Sequence, residues 1–207
     1  MIEVIRAILP TLLAGFLINL EIAAGAVAIG LGFGLPLALL GLTAPRSAVF
    51  VWPCVRLMQA APTYVVMYFV LNALPRDMSL FGAPAAGLLA VTLAQSVYMA
   101  AYVADNLYRA AEHLWRDERD LALLFLPNLL RGFVLVVMSS GFGAAIGVSE
   151  AVAVTIRQAE RLHAVGERVV LFLVVIALFS VVFGGANVAI RWMVHRLSAP
   201  KKLAPGG

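Results

Sequence analysis

Five long stretches of this 207-residue chain contain no charged residue. Each is close to the roughly 20 residues that a helix needs to cross a hydrocarbon core of about 30 Å. They cover residues 22–45, 57–75, 78–104, 132–149 and 169–190. Hydrophobic residues make up 63% of the chain and charged residues 13%, and the mean hydropathy is +0.98. A water-soluble fold of this length does not need such a composition, so the sequence predicts an integral membrane protein.

The predicted fold is an all-α bundle of about five transmembrane helices, which form a single domain over residues 1–207. The expected helices cover 10–42, 50–74, 80–111, 122–148 and 168–194. Two polar segments, 112–120 and 150–167, separate the later helices. In the second of these, apolar residues recur at every third position from Ile156, as on one stripe of an amphipathic helix. The only cysteine, Cys54, excludes an intrachain disulfide and is expected to be buried.

The distribution of Lys and Arg predicts the orientation of this bundle in the membrane. With the N-terminus outside and the C-terminus in the cytoplasm, the inner loops and tail hold ten basic residues and the outer segments hold five. An excess of positive charge on the cytoplasmic side is the usual arrangement. The net charge of +4 is then explained by membrane topology, and no nucleic-acid partner is expected.

Five fragments, in order along the chain, resemble the permease subunits of ATP-binding-cassette importers for polar amino acids, of the histidine, arginine and glutamine type. The fragments are LPTLLAGFLINLEIA (9–23), VRLMQAAPTYVVMYFVLNALP (55–75), YVADNLYRA (102–110), FLPNLLR (125–131) and IGVSE (146–150). The resemblance implies a type I importer permease fold in a bacterial inner membrane. It also implies three kinds of partner besides lipid: a second permease subunit, cytoplasmic ATPase subunits that use the ATP, and an extracytoplasmic solute-binding protein.

The chain departs from that family in the loop that couples the permease to its ATPase. The family carries a Glu-Ala-Ala motif and a following Gly there, whereas this chain has only EHLWRDERDLALLFLP (112–127), which is shorter and has no Gly. The resemblance still implies that this segment contacts the ATPase, and the alternative is a solvated loop. The coupling residues expected from it are Arg109, Glu112, Trp115, Arg116, Asp117, Glu118 and Arg119.

A small set of polar residues within the apolar regions could line a translocation path. Tyr98, Tyr102, Asp105 and Asn106 share one helix face, since residues three and four apart are neighbours on a helix. Ser139 and Ser140 lie among glycines where the backbone could break, and Gln59 precedes Pro62. Ordinary helix packing is the alternative for each of them. A charge at bilayer depth is costly, so Asp105 should face protein, water or the headgroup boundary.

No catalytic site, metal site or cofactor is expected in this chain. Its three His residues are scattered, no Ser lies in a Gly-x-Ser-x-Gly context, and no Walker motif is present. Two classes of function stay open. The chain could be the transmembrane subunit of an ATP-driven importer for polar amino acids or similar small solutes. Alternatively, it could be a degenerate permease that serves as a non-transporting membrane scaffold.

Overall fold

The computed structural model describes residues 2–75, 77–80 and 83–197. These residues form a bundle of helices with one pair of two-residue strands. The elements, in chain order, are α1 (Ile2–Thr43), α2 (Pro45–Ala60), α3 (Thr63–Ala73), β1 (Ser79–Leu80), β2 (Ala83–Pro84), α4 (Ala86–Trp115), α5 (Arg119–Ala122), α6 (Phe125–Ser139), a 3₁₀ helix (Ser140–Ile146), α7 (Ala151–Arg161) and α8 (Val165–Leu197).

Four helical stretches are long and apolar enough to cross a membrane: 6–43, 86–115, 119–146 and 165–197. The bent pair α2 and α3 gives a fifth when it is counted as one span. Within lipid a backbone must satisfy its own hydrogen bonds, which helices do along their whole length. The predicted all-α bundle of about five spans is therefore confirmed.

The pairing of α1 with α4 forms the centre of the bundle. Two glycines of α1 allow this close approach. A Cβ atom at Gly30 would lie 2.6 Å from the Cβ of Met99, and one at Gly34 would lie 2.6 Å from the carbonyl oxygen of Ala100. Small residues at such positions are the usual way in which membrane helices approach each other closely. The GxxxG spacing of α1 thus faces α4.

The second predicted helix, 50–74, is not one helix. The chain bends by 93° between α2 and α3. Ala61 and Pro62 both have extended backbones, with ψ angles of 124° and 111°. Pro62 has no N–H to continue the helix, and the residue before a proline is driven out of the helical region by steric clash. Residues 61 and 62 therefore divide this apolar stretch into two short helices.

Other boundaries also differ from the sequence prediction. The third long helix, α4, begins at Ala86 instead of residue 80, and it continues to Trp115, so that the first four residues of the expected coupling segment are helical. The fourth expected helix, 122–148, is α-helical only to Ser139 and then tightens into the 3₁₀ helix. Most of the predicted amphipathic segment 150–167 forms α7, and the last helix, α8, extends to Leu197. Cys54 is exposed, contrary to the expectation that it is buried.

Candidate functional site

The charged turn between α4 and α6 is closed by its own hydrogen bonds. Nδ1 of His113 lies 2.7 Å from Oε2 of Glu118, and the backbone N–H of Glu118 donates to the carbonyl oxygen of His113 at 2.9 Å. Arg119 forms an ion pair with Asp117 at 3.4 Å. Asp117 has a φ angle of 60°, a left-handed conformation that Asp adopts more readily than most residues. These contacts define a compact turn, which we call the tip (residues 113–119).

The tip presents a large apolar surface beside its charges. Trp115 is 68% exposed and Leu114 is 55% exposed, and both end α4 just before the charged residues 116–119. Large aromatic side chains that are accessible in one partner often anchor protein interfaces. Five of the predicted coupling residues therefore lie on one exposed turn: Trp115, Arg116, Asp117, Glu118 and Arg119.

The two other predicted coupling residues, Arg109 and Glu112, line a cavity together with two predicted path residues, Gln59 and Asp105. The cavity lies between α2 and α4 and has a volume of about 490 Å³. Trp52, Val55, Arg56 and Tyr108 complete its wall. Asp105 forms an ion pair with Arg109, one helical turn away, at 3.1 Å. We call this space the α2–α4 cavity.

The other predicted path residues of α4 make helix contacts. The rings of Tyr98 and Tyr102 stack with centroids 6.0 Å apart, and the Tyr102 hydroxyl donates to the carbonyl oxygen of Asn128 in α6 at 3.0 Å. Nδ2 of Asn106 donates to the carbonyl oxygen of Tyr102 at 2.8 Å. Tyr98 and Tyr102 therefore connect α4 to the α6 side of the bundle, whereas Asp105 faces the cavity beside α2.

Ser140 belongs to a buried polar cluster that the sequence did not reveal. Nδ2 of Asn19 donates to Oγ of Ser140 at 2.7 Å and to Oε2 of Glu150 at 3.0 Å, while Oδ1 of Asn19 accepts from the N–H of Ala151 at 3.1 Å. Glu150 caps α7 by accepting from the N–H groups of its first turn. Asn19, Ser140 and Glu150 are each at most 1% exposed. This polar cluster joins α1, the 3₁₀ helix and α7.

Two further observations concern single residues. Ser139 donates to the carbonyl oxygen of Leu135 at 2.9 Å, one turn back on α6.

Gln95, which the sequence analysis passed over, is 2% exposed on α4, and its amide nitrogen has no hydrogen-bond partner within the described part of the chain. Its only signal in the sequence is an uncharged polar residue within the third apolar stretch. Over the same residues, no group of three or more His, Cys, Asp or Glu could hold a metal ion.

Solved structures of ABC transporters share this fold. A chain of a structure described as an amino acid ABC transporter with histidines superposes with a TM-score of 0.68 at 19% identity, covering 90% of this chain and 94% of that one. A chain of the methionine ABC transporter MetNI, in inward-facing conformations, superposes with a TM-score of 0.65 at 16% identity, covering 89% and 97%. No family model and no curated protein matches the sequence. The expected ABC permease fold is confirmed.

Proposed function

We propose that this chain is the transmembrane subunit of an ATP-driven importer for polar amino acids or similar small solutes. The observation that carries the proposal is the shared fold, which extends over nearly the whole length of both this chain and the amino acid transporter chain. A permease that had lost part of its bundle would not align over 94% of a transporter subunit. The bundle would form the translocation path with a second permease subunit in a bacterial inner membrane, and a solute-binding protein would deliver the solute.

The tip supports a role in coupling to a cytoplasmic ATPase. Its hydrogen bonds fix the turn before any partner binds, so little conformational entropy is lost on docking. Trp115 and Leu114 supply apolar area, and the neighbouring charges supply orientation. Closure of the ATPases on ATP would move the tip, and α4 would transmit that movement to the cavity and to the helices that pack on α1.

The orientation that places the tip in the cytoplasm is the one that the positive-inside bias favours. It also leaves α7 on the outer side, where the binding protein would dock. Both structural neighbours are described as transporters of amino acids: the first of amino acids in general, the second of methionine. These neighbours support amino acids as the class of solute that we propose.

The decisive experiment measures whether the tip recruits an ATPase. The tagged chain is co-expressed with the products of the neighbouring genes, and any ATPase subunit that co-purifies is quantified. Loss of an aromatic anchor worth about 2 kcal/mol lowers affinity about 30-fold. We expect that loss for Trp115→Ala but not for Trp192→Ala, a matched control that is 59% exposed on α8.

The same preparation, in liposomes, then tests transport itself. Hydrolysis of ATP that is stimulated by an amino acid and its binding protein, and that falls in Trp115→Ala, is the expected result. The tip is short, with only the four-residue α5 before α6, and this favours the scaffold alternative. An ATPase that co-purifies equally well with both tryptophan variants, or not at all, would contradict coupling through this subunit and support that alternative.

A further inference from the structure

A second cavity lies between α1, the start of α4 and the corner that joins the 3₁₀ helix to α7. Its volume is about 430 Å³. Glu21 lines it from α1, Leu88 from the first turn of α4, and Ser149 from the corner. Glu21 comes directly before the uncharged stretch 22–45. In the orientation proposed above, this space therefore lies at the outer boundary of the membrane, and we call it the Glu21 cavity.

Glu21 gives this cavity a single negative charge. No other residue in its wall is ionisable, and the Glu21 side chain is exposed. It forms no ion pair within 4.0 Å among the residues that the structure describes. A charge at the edge of the hydrocarbon core is costly when it has no partner. The Glu21 cavity therefore favours a ligand that carries a positive charge.

The corner adds further hydrogen-bond acceptors to the wall. Gly147 turns the chain with a φ angle of 87°, in the left-handed region that favours glycine. The carbonyl oxygen of Ile146 lies 3.5 Å from the position of a Cβ atom at Gly87, so it faces the first turn of α4. No backbone N–H donates to a carbonyl oxygen of residues 146–149 within the described part of the chain. A carboxylate with free carbonyl oxygens suits a ligand that donates hydrogen bonds.

We propose that the Glu21 cavity binds the ammonium group of the solute as it enters from the outer side. A primary ammonium supplies the positive charge for Glu21, and its three N–H groups match the acceptors of the corner. Ile18, Leu88 and Val148 provide apolar wall for a carbon chain, which a hydrated metal ion would not use. The volume falls within the range of about 300–1,000 Å³ typical of small-molecule sites. This inference rests on the proposed import function and adds that the solute carries a free ammonium group.

Saturation-transfer difference NMR on the purified full-length chain in lipid nanodiscs tests the binding. The probes are n-butylammonium and n-butanol, which has a similar length and no charge. An ion pair with an exposed carboxylate corresponds to at most about a fivefold change in affinity. We expect the dissociation constant of n-butylammonium to rise about fivefold in Glu21→Gln and the n-butanol signal to stay the same. Equal binding of n-butylammonium by the native chain and Glu21→Gln would overturn the proposal.

Two further variants make this result specific. Glu160→Gln removes another exposed acid, which lies on α7 outside the cavity, and it should bind n-butylammonium like the native chain. Glu21→Asp keeps the charge and should keep most of the binding, which separates loss of the charge from misfolding. If Glu160→Gln weakened binding as much as Glu21→Gln, the probe would be responding to acidic surface in general, and the cavity would not be its site.

A lysine of the docked binding protein would offer the same ammonium group, and the reconstituted importer distinguishes this source from the solute. We expect Glu21→Gln to slow uptake of the amino acid that stimulates ATP hydrolysis by about fivefold. The affinity of the solute-free binding protein should not change. Weaker docking with normal uptake at saturating binding protein would overturn the assignment to the solute. The NMR measurement needs no ATPase, so a failure of ammonium binding is distinguishable from a failure of the proposed import function.

Discussion

Replacing Asn19 by leucine should strongly destabilise the bundle, because this one side chain makes three buried hydrogen bonds. Its amide nitrogen donates to Ser140 and to Glu150, and its amide oxygen accepts from the first N–H of α7. Leucine has a similar size, so the change removes the hydrogen bonds while it preserves volume. Ser140 keeps its own bond to the carbonyl oxygen of Val137, but the N–H of Ala151 has no other partner among the residues that the structure describes.

The magnitude follows from these three bonds. Polar contacts between membrane helices contribute about 0.6 kcal/mol on average, which gives roughly 2 kcal/mol for three of them. A buried donor that is left without a partner costs a further 1–3 kcal/mol or so. We therefore expect Asn19→Leu to lower the free energy of unfolding by about 3–5 kcal/mol. The loss should free α7 from α1 before the rest of the bundle opens.

Reversible unfolding in mixed micelles with increasing sodium dodecyl sulfate measures this free energy. Thr155→Val is the matched control, since the Thr155 hydroxyl is buried but donates only to the carbonyl oxygen of Ala151 in its own helix, at 2.6 Å. That control should cost less than about 1 kcal/mol, because no buried group loses its only partner. If Asn19→Leu were no more destabilising than Thr155→Val, the polar cluster would not hold these helices together.

Three further predictions use the same unfolding assay. Gly34→Ala should destabilise the chain by about 1–3 kcal/mol, because the new Cβ would lie 2.6 Å from a carbonyl oxygen of α4. Gly32→Ala should be neutral or slightly stabilising, because a Cβ there would have nothing within 4 Å. Equal effects of the two changes would refute close packing at Gly34. Asp117→Gly should leave the free energy of unfolding nearly unchanged, because glycine adopts a φ of 60° without strain. Asp117→Val should lower it by about 1–2 kcal/mol. No loss of stability in Asp117→Val would mean that the tip does not require this conformation. Tyr102→Phe should cost about 1 kcal/mol through loss of the bond to Asn128, and an unchanged midpoint would show that this bond contributes nothing.

The number of spans could be predicted from the sequence because lipid imposes it directly. Each crossing requires an uninterrupted apolar stretch, and that is visible in composition without any knowledge of tertiary contacts. The same signal conceals the break at Ala61 and Pro62. The composition of an apolar stretch is the same whether its helix is straight or bent by 93°. Pro62 indicates that a kink is present but does not indicate its angle.

The polar cluster could not be predicted for a different reason. Asn19 and Glu150 are 131 residues apart, and each has an ordinary local explanation, the first as a polar residue in an apolar helix and the second as part of the IGVSE corner. Only the packing of α1 against α7 brings them to 3.0 Å. The helix-capping role of Glu150 was readable in principle, because an acidic residue directly before an amphipathic stretch is a common start signal.

The α2–α4 cavity brings together residues that the sequence assigned to two different functions. The sequence assigned Gln59 and Asp105 to a translocation path as polar residues of apolar regions, whereas the family resemblance assigned Arg109 and Glu112 to ATPase coupling. The structure places all four around one cavity, with Gln59 on α2 and the other three on α4. Since α4 continues unbroken from the cavity to the tip, residues assigned to two functions lie on one helix, and only the packing of α2 against it adds Gln59 to them.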